Sequence, residues 1–155
     1  GFASQDSHFE LPVVYASKKE LLANDFAVFR AFCDAEIAMS AHVLFESIDP
    51  YSPASTSKKL MDIIRNEIKF SGLLISDDIS MAALPGDIKK RTKNLIEAGN
   101  DVILHCNGKL FEMKEIIYSG VVPNTLTLSR MASVIEERKK IKHNNIKNAE
   151  SSQSS

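Results

Sequence analysis

Three short stretches hold side chains able to attack carbon or move protons. Asp6-Ser7-His8 places a carboxylate near an imidazole. Ser76-Asp77-Asp78 sets two carboxylates side by side after an apolar run, and His105-Cys106-Asn107 follows another. His42 sits near the end of a third apolar run, Ile37 to Val43. Carboxylates and imidazoles gathered in one place suit cleavage of a glycosidic bond. One group attacks or stabilises the anomeric carbon, and another protonates the leaving oxygen. The same residues have blander uses. Paired Asp residues in loops are commonly solvated charges or helix N-caps, and His42 and His105 at the ends of buried strands would serve as satisfied structural groups. Cys106 carries no sign of activation and reads as a buried, inert thiol.

The elements that would position these groups alternate along the chain. Ser17-Lys18-Lys19-Glu20 forms a capping-box pattern, followed by Leu22, Phe26, Phe29 and Cys33 at helical spacing. Residues 37–43, 72–76 and 101–105 are short apolar runs of strand length, which read as buried strands. Ser57 is placed to cap a helix burying Leu60, Ile64 and Ile68. Asp87 caps another, with Ile88, Thr92, Leu95 and Ile96 inward and Gly99 as its stop. Leu110, Met113 and Ile117 mark a helix ending near Gly120, and a last helix is expected from about Leu128 to Lys140. The Ser-rich tail 147–155 is expected to be disordered, leaving 1–146 as the folded domain.

Strands alternating with amphipathic helices point to right-handed βαβ units and a parallel sheet. Two architectures satisfy this pattern: a small doubly wound sheet, or a segment of a (β/α)₈ barrel. Both place ligands at the C-terminal ends of the strands, where Asp77, Asp78, His42 and His105 fall. A net charge of −1 offers no basic footprint for nucleic acid or an anionic membrane surface. Two cysteines without a CxxC or a disulfide framework fit a reducing cytoplasm. No GxGxxG or GxxxxGK[ST] run is present to cradle phosphates, which weakens a third reading as a small α/β phosphate- or nucleotide-binding domain. No HExxH spacing supports a metal site, and no cofactor is expected.

The motifs carry a resemblance. Asp6-Ser7-His8-Phe9-Glu10-Leu11-Pro12 resembles the DSHxELP segment of bacterial family 3 β-N-acetylhexosaminidases, and Phe70 to Met81 resembles their FxGxxxSDDLSM segment. Met39-Ser40-Ala41-His42-Val43 is similar to their TAHV strand, and Leu104 to Gly108 to their LHCNG strand end. Asp49-Pro50 and Pro53-Ala54-Ser55 match in order, so the resemblance runs from Gly1 to about Leu128. It implies that Asp77 is the nucleophile, that His8 is the acid/base and that Asp6 orients His8. We place His42, Asp78, Met81, His105 and Asn107 as candidate sugar contacts on the same rim. The activity implied is a retaining exo-β-N-acetylglucosaminidase acting on N-acetylglucosaminyl muropeptides in cytoplasmic cell-wall recycling, without a metal.

The departures from the family pattern are equally specific. Of the family's KHFPGHG segment only the final Gly remains, as Gly1. The Lys-His pair, and the Arg and Asp that grip the sugar hydroxyls, are absent. Lys69 stands where the family has Gly before Phe70. The expected architecture is therefore a partial (β/α)₈ TIM barrel, made of roughly its last three to four βα units. Its missing N-terminal half would be a candidate partner, and an inactive remnant of the same gene is the alternative.

Overall fold

The computed structural model describes residues 10–152. The chain divides into two compact units after Val122. The first contains, in order, β1 (Val13–Val14), α1 (Lys18–Ala23), α2 (Asp25–Arg30), β2 (Ile37–Ser40) and β3 (Leu44–Phe45). A 3₁₀ turn (Ala54–Thr56), α3 (Lys58–Asp62), β4 (Leu73–Asp78), α4 (Ile88–Ala98), β5 (Val102–Leu104) and α5 (Leu110–Ile117) follow. The second unit holds α6 (Thr125–Ser152), which carries Glu136–Lys139 and Glu137–Lys140 ion pairs along its surface. The tail expected to be disordered from residue 147 is, as far as Ser152, the end of α6. Among the described residues no helix is long and apolar enough to cross a membrane.

All strand pairing is parallel, as the alternating pattern implies. β2, β4 and β5 form one sheet in that order, and β1 pairs with β3 in a second. Met39, Ile75 and Val102 are cross-strand neighbours and share a face; Ser40 and Ser76 pair on the opposite face, which also carries Leu74. That second face is sealed: Leu74 is 1% exposed and Ser76 0%. Leu60, Met61, Ile63 and Ala98 gather with Leu74 in the larger core cluster. A second cluster joins Ile79, Leu84 and Leu95 to Ile103 and Ile116. Each fully buried Leu or Met here contributes roughly 1.5–3 kcal/mol. The first face is different, because Met39 at its edge is 57% exposed.

The caps form as their residues dictate. Ser17 and Glu20 make the capping box, Ser57 Oγ accepts from Leu60 N, and Asp87 Oδ1 accepts from Lys90 N at 2.7 Å. Gly99 ends α4 at φ 125°, a conformation open to glycine. Two expectations need correction. The first helix breaks at Asn24 (φ −111°, ψ −82°), so Leu21 and Phe26 face the core while Phe29 is left 62% exposed. The run 37–43 is not one strand: the ladder ends at Ser40, and the loop supplies the next bonds, from Ser55 N to Ala41 O and from Ala54 N to Val43 O. The α5 stripe Leu110, Met113 and Ile117 lies on an exposed face.

Candidate active site

β4 runs two residues further than its apolar core suggests, so Asp77 and Asp78 are its last residues. His42 follows the end of β2, and His105 follows β5 directly. Because the three strands are parallel, all four residues share the C-terminal rim of the sheet. Asp6 and His8 lie outside the described residues.

Asp77 is partly exposed. One carboxylate oxygen accepts from the Asp78 backbone N–H at 2.8 Å; the other has no hydrogen-bond partner among the described residues. Asp78 is used differently. Its Oδ1 accepts from Ser80 N at 3.0 Å and Cys106 N at 3.1 Å, and its Oδ2 from Ser80 Oγ at 2.6 Å. Partial burial pushes the Asp78 carboxyl up, but the Ser80 and Cys106 bonds and nearby His105 outweigh it and hold it below the usual range. With both oxygens engaged, Asp78 acts as a brace between β4 and β5. A sugar contact by Asp78 would have to displace one of these bonds.

His42 is fully buried, with Nδ1 2.7 Å from Ser55 Oγ and Nε2 3.0 Å from the Asp78 carbonyl oxygen. The expectation of a sugar contact at His42 is thus corrected to an internal brace, since no ring atom reaches the surface. Burial lowers its pKa, against the opposing pull of the Asp78 carbonyl and of the Asp77 and Asp78 carboxylates. Met81, only 7% exposed, is likewise an interior residue, whose backbone carbonyl accepts from Arg91. Arg91 also holds the carbonyls of Ile79 and Gly86, and so clamps the loop after Asp78.

His105 and Asn107 meet at a residue the sequence reading did not single out. Glu112 Oε2 accepts from His105 Nε2 at 3.0 Å and Asn107 Nδ2 at 2.7 Å, while Lys109 Nζ lies 3.3 Å from Oε1. The bonds from Asn107 and His105 lower the Glu112 pKa to about 2. Its position in the first turn of α5, within reach of the LHCNG strand end, was the available signal. Cys106 is exposed rather than buried. Desolvation and the Asp78 and Asp77 carboxylates raise its thiol pKa, which disfavours the thiolate. Among the described residues no group of three His, Cys, Asp or Glu could hold a metal ion.

This rim can present one free carboxylate oxygen, at Asp77, from a braced backbone. Comparison with known proteins agrees with the motifs. The β-hexosaminidase of Aromatoleum aromaticum is 38% identical over 112 residues, covering 69% of this chain and 31% of that protein. A family 3 β-N-acetylglucosaminidase of Paenibacillus superposes with a TM-score of 0.81 at 24% identity over 88% of this chain and 29% of that one, a likeness of fold. NagZ of Neisseria gonorrhoeae, solved with N-trifluoroacetyl-D-glucosamine, superposes with a TM-score of 0.72 at 33% identity over 85% of this chain and 38% of that one. The chain spans about a third of the length of the curated relatives it matches. The model of the glycosyl hydrolase family 3 N-terminal domain matches residues 1–141, and the chain belongs to that family.

Proposed function

We propose that this chain carries the nucleophile and the acid/base dyad of a retaining exo-β-N-acetylglucosaminidase, acting on N-acetylglucosaminyl muropeptides in the cytoplasm. The observation that carries the reading is the Asp77 carboxylate: it ends a parallel strand on the ligand-binding rim, with one oxygen uncommitted among the described residues. In the reaction Asp77 attacks the anomeric carbon while His8 protonates the departing oxygen, giving a glycosyl ester. His8 then takes a proton from water, which attacks the same carbon and releases Asp77. Asp6 holds the His8 ring and supports its charge.

The architecture we propose is a segment of a (β/α)₈ barrel. One face of the β2–β4–β5 sheet is sealed by α3, α4 and α5, whereas the Met39 edge of the other is exposed. A doubly wound sheet would carry helices there. The exposed Met39 edge favours a second reading as well, in which the chain works only with further barrel units, either joined to it or supplied separately. A fluorogenic β-N-acetylglucosaminide tests both, assayed with the chain alone and with the chain joined to or mixed with an upstream barrel half. Turnover is expected in the completed barrel and should vanish in Asp77→Ala. No turnover in the completed barrel rejects the hydrolase reading, and turnover surviving Asp77→Ala rejects the nucleophile. Full turnover by the chain alone rejects the need for further units.

A further inference from the structure

The brace behind Asp77 extends further than the rim. A carbonyl oxygen only accepts, so the His42 Nε2 facing Asp78 O carries the proton. In the neutral ring that burial favours, Nδ1 is then an acceptor, and the Ser55 hydroxyl donates to it. Ser55 is itself 0% exposed and fixed by its backbone: its N–H donates to Ala41 O, and its carbonyl accepts from Asn100 Nδ2 at 2.7 Å. Asn100 also donates to Leu95 O and accepts from Ser40 Oγ at 2.6 Å, which ties Ser55 to the end of α4 and the end of β2. On the opposite side, Asp78 is held through its carboxylate by Ser80 and Cys106. The Asp78 residue is therefore gripped from both sides, and its N–H is the group that holds the Asp77 carboxylate.

We propose that Ser55 and His42 form a positioning pair for Asp77: the Ser55 hydroxyl orients the His42 ring, and His42 holds the Asp78 carbonyl, which sets where the Asp77 carboxylate points. Neither residue touches the substrate. The inference rests on the reading of Asp77 as nucleophile for its catalytic meaning, while the positioning itself can be observed without turnover.

Two measurements on Ser55→Ala decide it. In the full 155-residue chain, the carboxyl ¹³C resonance of Asp77 and the carbonyl resonance of Asp78 should both move, while the Asp101 carboxyl at the other end of the sheet stays in place. Unmoved Asp77 and Asp78 signals overturn the proposal. In the hydrolysing form, kcat should fall about 10- to 100-fold, the scale of a small misplacement at the reacting centre, with KM within about threefold. Ser55→Thr, which keeps the hydroxyl, should recover most of the loss; a Thr variant no better than Ala, or a loss confined to KM, overturns the proposal. If Ser55→Ala does not fold, His42→Gln replaces it. Its amide keeps an N–H for the Asp78 carbonyl, so the Asp77 signal should stay near its original position, and a shift as large as in His42→Ala counts against the pair. A completed barrel without substitutions that fails to hydrolyse the glycoside removes the nucleophile reading alone, and the resonance arm then decides the positioning.

Discussion

Asp77 and Asp101 belong to the same sheet but to opposite ends of it, and their surroundings differ in kind. At the N-terminal end, Asp101 is 8% exposed; its Oδ2 accepts from Arg65 at 2.7 Å and from Leu74 N at 2.9 Å. Arg65 also donates to the carbonyls of Phe70 and Gly72 and lies 5.3 Å over the Phe70 ring. That end joins the β3–β4 connection to β5 through a partly buried ion pair. At the C-terminal end, by contrast, the carboxylates are partly exposed and are held mainly by backbone groups of the loops that follow the strands. The difference is between a charge engaged in holding elements together and one held in place while an oxygen stays available. In the proposed reading the second end is the one that carries chemistry.

The sharpest way to break this contrast is to remove each carboxylate and compare stabilities. Asp101→Ala removes the partner of a partly buried ion pair and the acceptor of the buried Leu74 N–H, which should cost about 1–3 kcal/mol. Asp77→Ala should change stability by less than about 1 kcal/mol, as for a residue outside the packed core. Denaturant melts of the two variants check this, and a comparable loss at both ends would erase the distinction.

Gly72→Ala tests the same stapled end through the backbone. A Cβ there would stand 2.5 Å from Ala35 O and 2.6 Å from Glu36 O, too close without a shift. Overpacking of this kind costs typically about 1–3 kcal/mol, and the melt should show it with little change in the rim's resonances.

A smaller effect separates the ends from the opposite direction. Lys69 holds φ 65°, a left-handed conformation unfavourable to a residue with a Cβ. Lys69→Gly should stabilise the chain by about 1 kcal/mol, measured as a higher melting midpoint. The departure from the family's Gly at this position thus sits in the helix-end connection and leaves the rim untouched.

The rim has its own acid signature. Glu112 has a folded pKa of about 2 against an ordinary 4.5, so its bonds to Asn107 and His105 stabilise the fold fully above about pH 4.5. That contribution fades as pH falls from 4.5 through about 2. Glu112→Gln should flatten this part of the stability–pH curve, and an unchanged slope would remove Glu112 from the rim's support.

How much of this was legible in the residues follows from how local each signal is. The three strands announced themselves as apolar runs, although only β4, paired on both edges, is largely buried, and β2 and β5 are mostly half-buried. The caps at Ser17, Ser57 and Asp87 were legible because a cap and its partner lie within one turn. Asp77 and Asp78 were legible as strand-end carboxylates. What stayed hidden depends on contacts between distant residues. Nothing near His42 says that Ser55, and not a strand partner, will receive it. Nothing near His105 shows Glu112 returning from the next helix. The break at Asn24 was hidden too, since Leu22 and Phe26 alone fit one continuous helix; burying Leu21 and Phe26 together decides against it.

The order of the sheet repeats the order of the chain: β2 pairs with β4, and β4 with β5. Each strand joins the strand of that sheet that precedes it in sequence. During synthesis from the N-terminus, β4 can therefore dock as soon as it emerges, on a template already made, and β5 can dock on β4 in turn. No strand of this sheet must wait for a partner that lies later beyond its neighbour. Assembly can proceed by accretion at one edge, which limits the time any edge stands bare in a nascent chain.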